Sequence, residues 1–566
     1  MKKISSVFIF PVILFCLNLS AFAQDYTYYN NLAKEEYDKK NYYNVIDDAN
    51  KSLNVTANGA AYWYRGMGRS GLNNYDDAAS DFSSAISYYS SDNTSLGKLY
   101  YWRGWCRYKQ DKFTQALPDF ESANSYGYED KLNMYWSMAY SYYKTDDYTK
   151  AEAFYTSAMN YTSDNSILAQ LYKGRGDIKY DQFKTKDAID DYTKAIQDDP
   201  NYSYAFWARG VARDVDFQTD LAIGDYTSAI NLIERSNKAG SESDLSSLYS
   251  NRGKLQNLSN KNDEAKADLQ KSLSLNPNFD RGNKNMGDLL YKLGKYKEAI
   301  PYYEHALSLF TNDADKTSCY SSLYSCSISM LDYAQALPYI NSAISISPDY
   351  GDYYGDRAHI YFVKKNYPES MADFNKAIEL YSDDKYGLYT NNRMLLYIER
   401  ARLKTKMKDN TGALSDFQKA IEEDSTSTYA YTWLGRFYKY VAKQSDKASV
   451  VLQKDIDLSS KTDTTADYIY AKVMKGEKQE AFHVAARLIK KDADNNYKFK
   501  WDLYNAACIY ALAGDPTKAI QYLDKSLAAG FDDFDHMNID EDLDSLRNMP
   551  AFKAILLKHK IPQLKL

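Results

Sequence analysis

The sequence is poor in the residues that usually build catalytic, metal and disulfide sites. Its 566 residues include only 5 histidines, 5 cysteines and 11 prolines. The histidines are scattered, without metal-ligand spacing or a serine–histidine context, and no cysteine pair has the spacing of a zinc site. No glycine-rich loop that could cradle a phosphate occurs. We therefore expect no enzymatic activity, no bound metal and no cofactor.

An excess of basic charge is missing as well. Lys and Arg number 70 against 76 Asp and Glu, which gives a net charge of −6 and a pI of about 5.6. Because nucleic-acid binding needs a positive field along the phosphate backbone, this balance argues against a nucleic-acid partner. Long apolar runs are absent after the first 23 residues, so we expect no transmembrane segment in the rest of the chain.

The first residues predict an export signal. Lys2 and Lys3 precede the apolar run 7–19, and Ala21-Phe22-Ala23 forms an A-x-A-like cleavage site. The alternative is a membrane anchor, but the run is shorter than the roughly 20 residues that a spanning helix needs. We predict a signal peptide over residues 1–23 and a mature chain that is exported to the periplasm or the cell envelope, or is secreted.

Four cysteines follow this signal. Cys319 and Cys326 lie seven residues apart on one predicted helix. That separation is about 10 Å at a rise of 1.5 Å per residue, which exceeds the reach of a disulfide. We predict that these two, Cys106 and Cys508 are free, buried thiols.

What the sequence does contain is a repeated pair of helices. The stretch YYWRGWCRYKQDKFTQALPDFESAN, which begins at Tyr100, predicts two short amphipathic helices joined by a turn near residues 110–113. Small Gly104 and Ala116 are expected where the helices cross, with Phe120 on the inner side. A small residue opens the second helix in fourteen such units, namely Val45, Ala78, Ala116, Ala151, Ala188, Ala222, Ala265, Ala299, Ala336, Ser370, Ala413, Ala448, Ala481 and Ala519.

This pattern resembles the tetratricopeptide repeat (TPR) family, whose basic period is 34 residues. The family has a small residue at position 8 and small, aromatic and small residues at positions 20, 24 and 27. Matching sets here are Gly66, Ala78, Phe82 and Ala85; Gly104, Ala116, Phe120 and Ala123; Gly176, Ala188, Tyr192 and Ala195; and Gly210, Ala222, Tyr226 and Ala229. The resemblance implies an all-α, right-handed superhelical solenoid of about fourteen helix-turn-helix units.

The domain organisation follows from the repeat. We predict the array over residues 24–529, with longer loops between units near 236–246 and 383–392. Residues 530–566 leave the pattern and resemble the closing segment that follows the last repeat in many bacterial TPR proteins. We expect them to form a C-terminal cap with one turn and a short helix that covers the apolar face of the last unit.

A second regularity is a charged pair at a spacing of 16 residues. It comprises Arg65 with Asp81, Arg103 with Asp119, Arg175 with Asp191, Arg209 with Asp225, Arg252 with Asp268, Arg357 with Asp373, and Arg400 with Asp416. Where the arginine is missing, its partner usually changes too, as in Met138 with Phe154, and Leu32 with Asp48 is the exception. We interpret these positions as contacts between the two helices of a unit that set their orientation. The alternative is independent variation of two surface positions.

Aromatic residues mark the candidate binding surface. In TPR arrays the first helices line a concave groove, with positions 2, 5, 9 and 12 facing inward. The resemblance places Trp63, Tyr101, Trp105, Tyr108, Trp136, Tyr140, Tyr143, Tyr180, Tyr204 and Trp207 at these positions. The later units carry more polar residues there. Two interpretations stay open, because the rings either line the groove as binding anchors or pack between helices.

The function implied by the resemblance is a scaffold in the bacterial cell envelope that binds proteins or extended peptide segments in its aromatic groove. Peripheral association with the envelope is compatible with this role. The alternative function is glycan binding through the same aromatic residues, because flat rings stack on sugars.

Overall fold

A computed structural model describes residues 26–236, 239–382, 390–459 and 466–561. Within these ranges the secondary structure is helical and contains no strand, which confirms the all-α prediction. The predicted signal peptide lies outside the described residues, as does most of the loop predicted near 383–392. The chain divides into two compact units, residues 1–260 and 261–566, which are described separately.

The first unit consists of helices that pack in consecutive pairs. Their bounds are α1 26–38, α2 Tyr42–Val55, α3 Gly59–Gly71, α4 Tyr75–Tyr88, α5 Asn93–Tyr108, α6 Phe113–Ser125, α7 Lys131–Lys144, α8 Tyr148–Met159, α9 Asn165–Asp181, α10 Thr185–Asp198, α11 Ser203–Val215, α12 Thr219–Ser236 and α13 Glu242–Leu258.

The second unit continues the pattern. Its helices are α14 Asn262–Leu275, α15 Asp280–Lys292, α16 Tyr296–Leu309, α17 Asp313–Ser329, α18 Tyr333–Ile346, α19 Gly351–Val363, α20 Tyr367–Leu380, α21 Thr390–Lys406, α22 Asn410–Glu423, α23 Thr428–Arg436, α24 Ser445–Ser459, α25 Ala466–Lys475, α26 Lys478–Lys491, α27 Asn496–Leu512, α28 Pro516–Ala528, α29 Phe534–Ile539 and α30 Pro550–Lys558. A π-helical turn, Phe437–Val441, extends α23.

Several hairpins are held by a small residue under an aromatic ring. In the hairpin of α9 and α10, Ala188 is fully buried, and a Cβ atom added to Gly176 would lie 2.7 Å from the ring of Tyr192. The same arrangement places Gly210 against Tyr226 in the next hairpin, at 2.8 Å. Because such distances leave no room for a side chain, these glycines set how closely the two helices approach.

Every turn within a predicted helical pair contains one residue in the left-handed backbone region. Among the described residues these are Lys40, Asn73, Asp111, Asp146, Phe183, Phe217, Asn260, Gly294, Leu331, Lys365, Lys408, Lys443, Gly476 and Gly514. The left-handed residue reverses the chain, and the next amide then donates to a carbonyl of the last helical turn, as from Lys184 to Lys179. Only three of the fourteen are glycine, so most of these turns accept the cost of a Cβ atom in this region.

The C-terminal segment differs from the simple cap that the sequence predicts. Helix α30 packs on α28, and Phe552 and Ile555 lie in the same apolar cluster as Leu523. Residues 531–546, however, do more than cover the last hairpin. They also contact helices that precede them by up to 236 positions, as in the hydrogen bond from the Tyr296 hydroxyl to Asp532.

Two further expectations can be compared with the structure. Cys106, Cys319, Cys326 and Cys508 are free and buried, which confirms the prediction of free, buried thiols. Within the described ranges, no helix combines the length and the hydropathy that a membrane crossing requires.

We predict that Gly176→Ala weakens its hairpin whereas Gly224→Ala does not. The new methyl group at position 176 meets Tyr192, and overpacking of this kind costs about 1–3 kcal/mol. Gly224 is the matched control, since it lies within α12 with nothing within 4 Å of an added Cβ atom. There alanine should gain up to about 1 kcal/mol from helix propensity.

Native-state hydrogen exchange of the amides of α9 to α12 measures both effects locally, because it reports the free energy of opening of each hairpin. Equal protection in the two variants would contradict the assigned role of Gly176.

Candidate functional site

The charged pairs of the sequence form forked contacts between the two helices of a hairpin. In the pair of α9 and α10, Arg175 donates from Nε and from one terminal nitrogen to the two oxygens of Asp191, both at 2.8 Å. Asp191 is 1% exposed. The same double contact joins Arg65 to Asp81, Arg103 to Asp119, Arg209 to Asp225, Arg357 to Asp373, and Arg400 to Asp416. Arg252 and Asp268 belong to different units, so their pairing stays a prediction.

Each arginine also reaches the preceding hairpin. The other terminal nitrogen of Arg175 donates to the Thr156 hydroxyl at 2.9 Å, and the Tyr172 ring lies 5.3 Å below the guanidinium group. Equivalent contacts to the preceding second helix are made to Asn50, Ser83, Thr193, Thr227, Asn341 and Asn375. One arginine therefore fixes both the hairpin and its neighbour.

A second cation, which the sequence reasoning missed, lies four residues after most of these arginines. Lys179 places its amino group 2.8 Å from Asp191, and Arg69, Arg107, Arg213 and Lys404 repeat this contact in their hairpins. Burial favours the neutral form of Asp191, but Arg175 and Lys179 together hold its pKa below the ordinary value. The spacing of four residues was the signal available, since it places both cations on one helix face.

The apolar version of this junction occupies the hairpin of α7 and α8. Met138 is 1% exposed. The Phe154 ring lies between Tyr135 and Tyr142, with centroid distances of 5.6 and 5.5 Å. These two tyrosines hold the positions that an aromatic ring and the second cation hold elsewhere. The junction is therefore filled either by charge or by rings.

We predict that Asp191→Asn weakens the hairpin of α9 and α10 by about 2–4 kcal/mol, because it leaves two largely buried cations without their counterion. A variant that carries Arg175→Met, Lys179→Tyr and Asp191→Phe copies the apolar junction of α7 and α8. It should recover stability to within about 2 kcal/mol of the natural chain.

Hydrogen exchange of α9 and α10 provides the measurement for this pair of variants. If Asp191→Asn leaves their protection unchanged, the pair is a surface contact of little energetic weight.

The candidate aromatic residues of α5 and α7 form a continuous ladder of rings. Trp105 stacks on Tyr108 at 5.3 Å, Tyr108 meets Tyr140 edge-on at 5.7 Å, and Tyr140 contacts Tyr143 at 6.2 Å. Lys109 lies over Trp105 and Lys144 over Tyr140, at 5.5 and 5.6 Å. Most ring faces in the ladder are therefore already in contact with another ring or a cation.

Tyr101 follows the second interpretation, because it packs between helices instead of lining an open groove. It is 6% exposed, because its ring stacks on Tyr128 at 4.2 Å and contacts Phe120 at 5.9 Å. Trp63 and Trp136 are partly buried and pack against separate apolar clusters, the former edge-on to Tyr89. Tyr101 is therefore covered by its neighbours, whereas Trp63 and Trp136 keep part of their surface exposed.

The remaining candidates, Tyr180, Tyr204 and Trp207, line a cavity of about 310 Å³ in the first unit. Tyr180 comes from α9, whereas Tyr204 and Trp207 lie one turn apart on α11 and stack at 6.3 Å. Tyr204 is 45% exposed, so the entrance of the cavity is open. Ala208 and Val211 complete an apolar wall.

Polar groups on the wall of this cavity already have partners within the chain. Asp177 is held by the Lys173 amino group at 2.7 Å and by the Tyr192 hydroxyl at 3.0 Å. Burial nevertheless raises the pKa of this carboxyl. Tyr204 donates to Asp244 at 2.7 Å. With its charges paired in this way, the cavity suits an apolar or aromatic side chain better than an ion.

One cluster of potential metal ligands lies among the described residues. Cys508, Asp540 and Asp542 lie within 4.8 Å of one another, but Asp540 accepts from Tyr504 at 2.9 Å, and Asp542 pairs with Arg436. Burial also raises the pKa of the Cys508 thiol well above its ordinary value. A protonated thiol beside two engaged carboxylates is a poor metal ligand.

Comparison with known proteins identifies the repeat. A tetratricopeptide-repeat family model matches residues 281–313, and a second model with the same description matches residues 132–165, 246–279, 351–384 and 503–529. No curated protein matches the sequence.

Several solved structures are similar over part of the chain. The C-terminal part of a TPR protein from Cytophaga hutchinsonii is 18% identical with a TM-score of 0.39, covering 45% of this chain and 98% of that one. Yeast Tom70 is 15% identical with a TM-score of 0.36, covering 76% and 95%. YrrB, described as a TPR protein with an unusual peptide-binding site, is 21% identical with a TM-score of 0.28, covering 36% and 97%.

The hairpins, with their repeated small residues, aromatic residues and junctions, define the class as an all-helical repeat protein. Because the TM-scores are low, the finer assignment rests on the five matched sequence segments and on the hairpin pattern. The chain is a tetratricopeptide-repeat protein.

Proposed function

We propose that the chain is a non-catalytic scaffold of the bacterial cell envelope that binds protein or extended peptide segments on the first-helix face of its first unit. This face is the surface formed by α5, α7, α9 and α11, whose successive members contact one another. The observation that carries the proposal is the open apolar cavity formed by Tyr180, Tyr204 and Trp207 across two hairpins. Aromatic side chains around such a cavity are typical anchors of a protein interface.

The repeat geometry favours an extended ligand. Each hairpin adds one first helix to the face, so a bound chain segment meets a new set of side chains at every hairpin. Beside the cavity, the Tyr143 hydroxyl donates to Asp181 at 2.6 Å, which gives the apolar site a polar border. An apolar centre within a polar rim is the usual anatomy of a protein–protein interface. The role of the TPR family in assembling complexes supports the same proposal.

The ring contacts favour a peptide over a glycan. A sugar needs a free aromatic face, but Trp105 is stacked on Tyr108 and also faces Tyr101 at 6.5 Å, with Lys109 over its ring. In the cavity, Tyr204 and Trp207 stack on each other.

A location in the cell envelope requires export, which depends on the signal peptide predicted over residues 1–23. Cleavage of the chain after Ala23 would support this location, and an uncleaved chain would contradict it.

We predict that Trp207→Ala weakens peptide binding at least tenfold. Peptides are selected from a random display library on the full chain, and their affinity is then measured by fluorescence anisotropy. Removing the indole opens the cavity and deletes an interface anchor, which typically costs 2 kcal/mol or about thirtyfold in affinity.

Tyr161→Ala is the matched control, because Tyr161 is 54% exposed in the same unit and lies outside the cavity. Unchanged affinity in both variants would remove the cavity from the proposal. Retention of the chain on a glycan array, lost on Trp207→Ala, would favour the alternative function.

A further inference from the structure

The second unit carries a row of cations on its first helices. His359 lies on α19, Arg402 and Lys406 on α21, and Arg436 on α23. Arg402 and Arg436 hold the Trp433 ring between them, at 4.5 and 4.7 Å from its centroid. Because α19, α21 and α23 contact one another in sequence, these four residues form one surface, called here the cationic stripe.

The stripe is covered by the chain itself. Residues 531–546, FDDFDHMNIDEDLDSL, contain seven acidic residues and no Lys or Arg, and are called here the acidic segment. Asp535 contacts His359 at 2.8 Å, Glu541 contacts Lys406 at 2.6 Å, and Asp542 receives two hydrogen bonds from Arg436. Successive carboxylates therefore meet cations from three successive hairpins.

Tyrosine hydroxyls extend the same recognition to earlier hairpins. Tyr333, at the start of α18, donates to Asp535 at 2.6 Å and receives a hydrogen bond from the Asn538 amide. Tyr296, at the start of α16, donates to Asp532 at 3.2 Å. Between α16 and α23, each successive hairpin thus contributes a side chain that contacts a carboxylate of the segment.

The opposite side of the segment is apolar and faces the last hairpin. Phe531, Met537, Leu543 and Leu546 are buried in one cluster with Tyr504 and Leu523 of α27 and α28. The segment is therefore amphipathic, with one side anchored where it leaves α28 and the other presented to the stripe. Leu331 and Tyr470, which are remote in sequence, also pack against this apolar cluster.

The electrostatics show why the stripe requires an acidic occupant. Burial acts to lower the pKa of His359, yet Asp535 raises it above the ordinary value, and His359 in turn lowers the pKa of Asp535. Each group therefore favours the charged form of the other, against the effect of burial on both. Lys406 likewise lowers the pKa of Glu541 against the effect of burial. A buried cation that loses its counterion is strongly destabilised, so the stripe is occupied by carboxylates or is exposed to water.

We propose that the cationic stripe is a receptor for acidic, helix-forming segments, and that residues 531–546 are its resident ligand, which an acidic segment of a partner protein replaces. The resident segment is tethered directly to α28, and a tethered ligand acts at an effective concentration of about millimolar. It therefore competes strongly, so that the site is closed until a partner of matching chemistry is concentrated nearby. This site is separate from the first-helix face of the first unit and does not depend on the proposed function.

The test uses the full chain and a fluorescein-labelled peptide with the sequence of residues 531–546. A first variant, Asp535→Asn with Glu541→Gln and Asp542→Asn, keeps the shape of the resident segment but removes the three carboxylates that meet the stripe. It should bind the labelled peptide at least tenfold more tightly than the natural chain does, because the stripe is released. A peptide with the same three amide substitutions should bind neither protein.

A second variant adds Lys406→Gln and Arg436→Gln to the first and serves as the matched control. Its resident segment is equally weakened, and two of the four receptor cations, Lys406 and Arg436, are gone, so the tenfold gain should disappear. If the first variant shows no gain while its circular dichroism matches that of the natural chain, the segment is a fixed brace and the proposal is overturned. Equal gains in both variants also overturn it, because binding then ignores the stripe.

A measurement on the natural chain covers the case in which the variants do not fold. Millimolar acidic peptide should accelerate amide hydrogen exchange in residues 531–546 as the resident segment is displaced. Unchanged exchange at that concentration would show that the segment is not replaceable and would overturn the proposal.

Discussion

The interaction on which the array depends is the contact of one guanidinium group with three partners at once. In Arg175 these are the Asp191 carboxylate within the hairpin, the Thr156 hydroxyl of the preceding hairpin and the Tyr172 ring beneath it. A hairpin of two helices cannot bury its apolar surface alone and is stable only against its neighbours. The fixed fork of the arginine sets the direction in which the neighbour lies, which an apolar contact of the same area does less well. The remaining surfaces, including the aromatic one, are positioned by these junctions.

Much of this arrangement could be predicted from the sequence, because the determinants of a hairpin are local. The small residues at the helix crossing, such as Gly176 and Ala188, recur at fixed spacing, and so do the arginine and the aspartate 16 positions later. A substitution of both partners together, as in Met138 with Phe154, indicates a contact even within a single sequence. The second cation, such as Lys179, is not predicted in this way. It is evenly spaced, but its contact with the aspartate depends on how deeply the aspartate is buried.

The site was less predictable, for two physical reasons. The groove positions of the family indicate the helix face on which an aromatic side chain lies. They do not indicate whether neighbouring rings cover that side chain. Tyr101 illustrates this, since its burial depends on Tyr128, a loop residue with no fixed place in the repeat. The sequence predicts only a cap for the acidic segment, because its neighbours in sequence belong to the last hairpin. Its contacts with His359 and Arg436 depend on how the five hairpins from α19 to α28 stack on one another, and no local pattern encodes that.

The long reach of residues 531–546 also bears on how the polypeptide acquires its structure. In the first unit the described contacts join neighbouring hairpins, so each pair can form as it leaves the ribosome. In the second unit, the bond from Tyr296 to Asp532 closes a loop of 236 residues, and that loop must be ordered before the bond contributes. Contacts of such separation slow folding. They also link the early and late hairpins of the second unit into one cooperative body. We expect this unit to open as a whole, whereas the hairpins of the first unit open one after another.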